Sequence, residues 1–503
     1  MYNVADLLNR NMSVNAGKAA LKWGESVVSY ADLRTAALKL AAGFKDIGLA
    51  KGDRILLMLP NIPHFAIVYY AALSIGAVVV PLNIMFKERE IAYQMEDCEA
   101  VAAVCWEGFA PDVTAARDKT ETLKHLFILG DKLPPNSIHL TRFIAKYGAL
   151  VNPFEVESED TAVIMYTAGV TGHPKGAELT HRGLSYAMKT LAETLRFSVR
   201  EKVLAVLPFF HSFGGVVVMN AGLYSGATLI LAPRFNATDV LSVIAREKIS
   251  IFAGVPTMFQ MIYDLPNYSD FDTSGMKYCL SGGSHLSADL LQKFEERFHT
   301  YVLEGYGLSE TCSAACFNNF KRERKLDSIG YPLDGIDMKV VDDDDKEVAI
   351  EEIGEIVVKG PTLMKGYRNR PQATAEAMRN GWFHTGDIGR MDMDGYFYLV
   401  DRKTDMILKG GFKVFPKEIE EVIAAHPQIK EVAVIGIPDK VMGEEIKACI
   451  VPKEGMRINP AALLEYCHEK LAAYKCPSVL RFYRELPKGA TGKVLKKELR
   501  LQT

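Results

Sequence analysis

The sequence predicts an α/β fold: a large N-terminal part of mixed sheets flanked by helices, followed by a smaller α+β unit. Three observations lead there. Apolar, β-branched runs alternate with amphipathic stretches for most of the chain, the pattern of parallel or mixed sheets that carry helices on their faces. The 503 residues exceed what one hydrophobic core ordinarily serves, so at least two domains are expected. From about Asp337 the texture changes to short strands and tight polar turns, as in "DMKVVDDDDKEVAIEEIGEIVVKG". A boundary at 401–405 divides the chain into domains 1–402 and 403–503.

Taken in order, "DRILLMLP" (53–60) is a strand. The run "FAIVYYAALSIGAVVVPLNIMF" (65–86) is uncharged and long enough to span a bilayer. Gly76 and Pro81 punctuate it, however, and its second half is β-branched, which predicts a buried helix, a turn at Gly76 and a core strand. "TAVIMYT", "KVLAVLP" and "ATLILAP" are further strands, and Leu184, Met188, Leu191 and Leu195 form one apolar helix stripe. Ser287 is an expected N-cap, with Leu290, Leu291, Phe294 and Phe298 facing inward before the strand "YVLE". The aspartates 342–345 read as a solvated hairpin turn rather than a metal site, because consecutive carboxylates repel and EF-hand spacing is missing. Helices at 416–426 and 460–471, with strands "EVAVIGI" and "KACIVP", build the C-terminal unit.

Composition narrows the function. Lys+Arg 59 against Asp+Glu 62, a formal charge of -3, supplies no excess positive charge for a nucleic-acid backbone. The 8 cysteines are scattered without a CxxC pair, as expected of reduced, buried thiols in a cytoplasmic protein. The start "MYNVADLLNRNMSVN" lacks the basic head and apolar run of a signal peptide. The expected location is cytoplasmic or peripheral at a membrane through transient association, and a homodimer is a further candidate assembly.

The stretch "YTAGVTGHPKGAELTH" (166–181) carries the first chemistry. It is not a Walker A sequence, and no GxGxxG occurs elsewhere. Gly169 and Gly172 let backbone N–H groups turn toward an anion, Thr167 and Thr171 add hydroxyl donors, and Lys175 adds a point charge. On these residues alone a phosphate cradle and a plain glycine turn remain equally open.

Read with the rest of the chain, "YTAGVTGHPKG" resembles the signature loop of the adenylate-forming superfamily: acyl- and aryl-CoA ligases, luciferases and peptide-synthetase adenylation domains. Further matches follow in the family's order: "PFFHSFG", "SGGS", "EGYGLSE", "GWFHTGD", "DRKTDMILKGGFKVFPKEIE" and "PKGATGKVLKKEL". The resemblance covers nearly the whole chain and is greatest to fatty-acid–CoA ligases. It implies a large N-terminal domain of mixed sheets with a small β-barrel-like part, plus a small mobile α+β C-terminal lid. It also implies an activity in which a carboxylic acid is joined to AMP from ATP, pyrophosphate leaves, and the thiol of coenzyme A displaces AMP.

The resemblance assigns roles as well. Glu310, with Thr167, is implied to hold Mg²⁺, and Ser309 to donate to the α-phosphate. Thr167, Gly169, Thr171, Gly172 and Lys175 would grip the β- and γ-phosphates. Tyr306 would offer a face to adenine, Ser284 and Glu304 would join it in binding the nucleotide, and Gly282, Gly283, Gly305 and Gly307 would let base and acyl group approach the backbone. Asp387 and Arg402 would bind the ribose hydroxyls. Lys493 would stabilise charge as pyrophosphate leaves, whereas Lys496 and Lys497 are read as solvated. His211 and Phe213 would gate the acyl site, and Gly410 and Gly411 would border the pantetheine tunnel.

Three positions depart from the pattern. Ala168 and Val170 stand where serine and threonine are common, and Thr404 where the hinge is normally Asp or Lys, with the neighbouring Lys403 the expected substitute. Apolar groups and glycines in "PFFHSFGG", "GVPTMFQMI" and "SGGSHLS" favour a fatty acid as substrate, ahead of an aryl or alicyclic acid. Loading of a carrier protein is the second reading; no acid lies at 209–217 to pair an amino acid's ammonium group. A degenerate nucleotide- or acyl-binding protein is the third, opposed by the retention of Glu310, Asp387, Arg402 and Lys493.

Overall fold

The computed structural model describes residues 3–150, 152–167, 174–410, 412–489, 492 and 494–501. The chain forms two compact units, Met1–Met338 with Val358–Phe383, and Lys339–Val357 with His384–Thr503.

The first unit holds a nine-stranded and an eight-stranded sheet. The nine-stranded sheet runs Tyr331–Pro332, Cys316–Phe317, Val302–Tyr306, Tyr278–Ser281, Ile251–Gly254, Lys202–Ala205, Thr228–Leu231, Ala19–Trp23 and Ser26–Ser29. Its middle is parallel, and antiparallel pairs occur only at the two edges. Parallel neighbours require crossovers, which the helices Ala237–Glu247, Pro256–Tyr263 and Ala288–Phe298 supply. Under this sheet Phe252 packs tilted on Phe259 and Phe259 edge to face on Phe294, with centroids 5.3 and 4.9 Å apart. As expected, Ser287 caps Ala288–Phe298 by accepting from the Leu290 amide.

Four adjacent strands, Val302–Tyr306, Tyr278–Ser281, Ile251–Gly254 and Lys202–Ala205, point the same way. Segments leaving their carboxyl ends therefore emerge along one edge, the place where ligands bind in open α/β sheets. "PFFHSFG", the glycines after Ser281 and "GLSE" all lie there.

The eight-stranded sheet runs Ile138–His139, His125–Leu129, Ala102–Trp106, Arg54–Met58, Val78–Pro81, Thr161–Thr167, Lys175–Thr180 and Gly366–Tyr367. It is parallel up to Thr161–Thr167 and antiparallel beyond. The 65–86 run folds as predicted, into the buried helix Pro63–Ser74, a turn with Gly76 at φ +72° and the core strand Val78–Pro81. Among the described residues no helix is long and apolar enough to cross a membrane. All eight cysteines are buried and free.

The strand Trp382–Met391, which lies in the second unit from His384 on, pairs antiparallel with Phe397–Arg402. Ile429–Asp439, Gly443–Pro452 and Val479–Phe482 form a separate sheet with Ile407–Lys409 and Phe412–Val414. The helices Pro416–Ala424 and Pro460–Lys470 cover it, burying Ile407, Val414, Ile419, Ile423, Ile446 and Leu463. The aspartates 342–345 do form a turn, closed by the Val341–Glu347 bridge. They are not all solvated: Asp343 meets Lys403 at 3.2 Å and Asp345 meets His384 at 3.7 Å. Lys496 likewise departs from expectation, held by Glu420 at 2.8 Å, while Lys497 is exposed.

His181 is a buried ionisable group whose role is to keep the fold. Its Nδ1 accepts from the Val4 amide at 3.1 Å, and Nε2 has no partner among the described residues. Burial lowers its pKa to about 4, against a smaller opposing pull from Asp160. The folded state thus binds this proton less readily than the unfolded chain. The neutral form's stabilisation is complete above pH ~6.5 and declines as the pH falls toward 4, a loss of roughly 2–3 kcal/mol by pH ~4.5. In urea titrations, His181→Asn should show a shallower drop in stability between pH 7 and 4.5 than the parent; equal slopes would reject the assignment.

Candidate active site

The strand pair Thr161–Thr167 and Lys175–Thr180 flanks residues 168–173 and is the root of the loop expected there. Thr167 and Lys175 lie opposite each other in its last register pair, so a hydroxyl and an ammonium flank the loop's two ends. The root is fixed from outside: Tyr166 donates to Asp97 at 2.7 Å, and Tyr93 donates to the Pro174 carbonyl at 2.8 Å. Gly169, Thr171 and Gly172, with Ala168 and Val170, lie outside the described residues, as do Gly411 and Lys493.

Glu310 sits in a one-turn 3-10 helix, Ser309–Thr311, and is buried, with 7% exposure. Its Oε1 accepts from the Tyr367 hydroxyl at 2.9 Å, and its carbonyl accepts from the Met364 amide at 2.7 Å. Burial, and then the Glu310 carboxylate, push the Tyr367 hydroxyl far above its ordinary pKa, which keeps it a donor. Lys175 Nζ lies 5.1 Å from the centroid of the same ring, a cation–π contact. Ser309 is half-buried beside Glu310, and its carbonyl accepts from the Cys312 amide.

Glycine is required around this turn by contact. A Cβ on Gly305 would stand 2.2 Å from the Phe317 ring, and one on Gly307 would stand 2.4 Å from the Ser313 carbonyl carbon. Gly282 packs on Phe213, and Gly283 takes φ +81°. Ser284 is exposed at the same edge, whereas Tyr306 is largely covered. Glu304 points inward, accepting from the Leu286 amide at 3.2 Å, so its carboxylate shapes the glycine turn.

His211 follows the strand Lys202–Ala205 and accepts at Nδ1 from the Phe213 amide at 3.4 Å. Burial lowers its pKa, favouring the neutral ring. Phe213 opens a π-helix, Phe213–Asn220, which sequence periodicity did not anticipate. The signal was the Gly-Gly pair: a Cβ on Gly214 would stand 2.1 Å from the Pro208 carbonyl oxygen, and one on Gly215 would stand 2.6 Å from that of Phe209. Wide helical turns of this kind recur at functional sites.

The second unit carries its own constellation. Asp387 and Arg402 are register partners across Trp382–Met391 and Phe397–Arg402, with Arg402 Nε 2.8 Å from Asp387 Oδ1. The Asp387 amide donates to Thr385 Oγ1 at 3.0 Å. Next to them the buried Glu355 accepts from the Gly386 amide at 3.0 Å and pairs with Lys403 at 3.1 Å and His384 at 3.4 Å. Burial works against the Lys403 charge, but Glu355 and Asp343 outweigh it and raise its pKa. Thr404 lies exposed in the turn that follows. Gly410 takes φ +57° and donates to the Met442 carbonyl, with a Cβ there only 2.6 Å from Met442 Cε. Lys488 and Val494 form an isolated antiparallel bridge, and Gly492 takes φ +76°. Tyr367, Glu355 and Lys403's ion pairs were invisible to motif reading, since their partners lie tens of residues away.

A parallel α/β sheet with a glycine-lined carboxyl edge, a buried carboxylate and the root of a glycine-threonine loop defines a nucleotide-handling enzyme. Residues 8–368 match the family model described as AMP-binding enzyme, and residues 418–493 match that of the AMP-binding enzyme C-terminal domain, so the chain belongs to the AMP-binding enzyme family. A long-chain-fatty-acid–CoA ligase of Bacillus subtilis (strain 168) is 36% identical over 96% of this chain and 91% of its own. One from Escherichia coli O157:H7 is 32% identical over 99% and 94%. Among solved structures, ATP-bound MatB from Rhodopseudomonas palustris superposes with a TM-score of 0.92 at 31% identity, covering 100% of this chain and 98% of that one. The anthranilate CoA ligase AuaEII in complex with anthranoyl-AMP gives 0.93 at 28% identity, covering 100% and 97%.

The contact behind Gly307 is open to test. Gly307→Ala forces a Cβ against backbone that cannot yield and should cost about 1–3 kcal/mol, read as a lowered thermal midpoint. Gly17→Ala, where a Cβ meets nothing within 4 Å, is the control; equal midpoints for the two variants would refute the steric reading.

Proposed function

We propose that this chain is an ATP-dependent fatty-acid–CoA ligase that works through an acyl-adenylate and releases AMP and pyrophosphate. The observation that carries the reading is Glu310: a buried carboxylate, fixed at one oxygen, at the carboxyl edge of a parallel sheet beside the root of the phosphate loop. The fatty acyl preference is supported by the long-chain ligases that this chain resembles over nearly its full length.

The residues divide the work as follows. Thr167, Lys175 and the loop amides bind the β- and γ-phosphates, and Ser309 binds the α-phosphate. Glu310 Oε2 has no partner among the described residues, and a hard carboxylate oxygen fits Mg²⁺. That ion is commonly held by one or two carboxylates plus phosphate oxygens, so no larger acidic cluster is needed, and among the described residues none occurs. Mg²⁺, when bound, neutralises phosphate oxygens that would otherwise repel the incoming carboxylate. Asp387 accepts from the ribose hydroxyls while Arg402 holds its other side. Lys493 stabilises the charge that develops as pyrophosphate departs. The C-terminal residues from 403 act as a lid turning about Thr404, which brings Gly410 and Gly411 to the pantetheine arm of coenzyme A for thiol attack.

Pyrophosphate release measured over a panel of fatty, aryl and alicyclic acids, with and without coenzyme A, tests the reading. Release should be greatest with medium- or long-chain fatty acids, and free AMP and acyl-CoA should accumulate together only when the thiol is present; no release with any acid would reject it. Lys493→Ala should lower acyl-adenylate formation about 10²–10³-fold, the range for losing one preorganised donor, yet leave thioester formation from supplied acyl-adenylate nearly intact. Equal losses in both half-reactions would refute the role given to Lys493.

A further inference from the structure

We propose that Tyr367 is a positioning residue for adenylation: its hydroxyl orients the Glu310 carboxylate toward the cation, and its ring ties that orientation to Lys175 at the root of the phosphate loop. The proposal rests on the reading of Glu310 as the cation's ligand.

Tyr367 has little freedom of its own. Gly366–Tyr367 pairs antiparallel with Lys175–Thr180, Tyr367 opposite Ala177 and Gly366 opposite Glu178. The Lys365 amide donates to the Glu178 carbonyl and the Arg368 amide to the Gly176 carbonyl, each at 2.8 Å. Backbone on both sides of Tyr367 is therefore fastened to the strand that begins with Lys175. From there the hydroxyl reaches Glu310 Oε1 at 2.9 Å, across 57 residues of chain. The Met364 amide holds the Glu310 carbonyl at 2.7 Å, so one short segment grips Glu310 at both main chain and side chain.

The chemistry separates the ring from the hydroxyl. Packing against Lys175, at 5.1 Å, needs only an aromatic face, and phenylalanine would serve it. Among the described residues the hydroxyl makes one hydrogen bond, donation to Glu310. A carboxylate on a single helical turn can rotate about its side-chain bonds, and fixing one oxygen sets the direction of the other. That is the part outer-shell partners play for metal-ligating carboxylates, where their loss typically costs about 10–100-fold in metal affinity.

Tyr367→Phe isolates the hydroxyl. ATP binding to the full chain is followed by isothermal titration calorimetry across a Mg²⁺ series, in the parent, Tyr367→Phe, Glu310→Gln and the double variant. The Mg²⁺ concentration for half-maximal enhancement of ATP affinity should rise about tenfold in Tyr367→Phe, with metal-free ATP affinity and thermal midpoint unchanged. In the Glu310→Gln background the tyrosine substitution should add nothing further, because coupled residues are not additive. A parent-like Mg²⁺ series in Tyr367→Phe, with Glu310→Gln impaired, overturns this inference and leaves the Glu310 assignment standing. Parent-like behaviour in both single variants overturns the Glu310 assignment and the inference with it. An undiminished tyrosine effect in the Glu310→Gln background overturns the route through Glu310.

Discussion

Steric exclusion behind the Glu310 turn governs how the first unit can be built. Three glycines, Gly305, Gly307 and Gly330, stand where a Cβ would lie 2.1–2.4 Å from the backbone or ring of the 313–318 segment. The strand Val302–Tyr306 and the return strand Cys316–Phe317 can approach only because those side chains are missing. The chain must then reverse within a few residues, and it does so with Cys312 at φ +50° and Ser313 at φ +59°. Two consecutive left-handed residues that are not glycine cost about 1–2 kcal/mol each. The bonds from the Ser313 amide to the Leu308 carbonyl and from the Ala314 amide to the Thr311 carbonyl offset that cost. Strain of this kind is tolerated where surroundings over-determine the backbone, and here it sets the position of Glu310.

The two units hold their buried acidic groups by different means. In the first, Glu310 is buried with a neutral donor at one oxygen. In the second, Glu355 is saturated by the Gly386 amide, Lys403 and His384. That saturation gives Glu355 a structural role: it stiffens the strand carrying Asp387 from the side opposite Arg402. It also commits Lys403. The position expected to replace a charged hinge residue spends its ammonium on Glu355 and Asp343, leaving Thr404, exposed and uncharged, as the next residue of the turn.

How far all this was legible in the sequence depended on range. Periodicity carried the 65–86 run, the stripe from Leu184 to Leu195 and the Ser287 cap, because each is decided by residues within a few positions of one another. Motif order singled out Asp387 and Arg402 one by one, whereas their register pairing and ion pair came only from the folded strands. Contacts between distant segments were not legible. Tyr367 follows a glycine in an unremarked stretch, and only the folded sheet brings it to Glu310. The aspartates 342–345 read as a solvated turn because their charges repel locally; two of them find cationic or imidazole partners some forty to sixty residues on. The π-helix was missed because its eight residues are almost uniformly apolar, which leaves no period to read.

These differences bear on the loop's departures from the family pattern. Ala168 and Val170 remove two hydroxyl groups from positions where phosphate would be gripped. A loop with fewer side-chain donors relies more on backbone amides, and backbone amides are only as well placed as the strands at which the loop begins and ends. Here that root is tied on two flanks: Tyr166 and Tyr93 bind one side, and the Gly366–Tyr367 strand binds the other through Gly176 and Glu178. Arg368 adds charge to the same seam, pairing with Glu178 at 3.3 Å and Glu99 at 2.8 Å. Rigidity at the root is what the proposed phosphate grip would rely on where Ala168 and Val170 supply no hydroxyl. The same seam that steadies Lys175 also carries Tyr367 to Glu310.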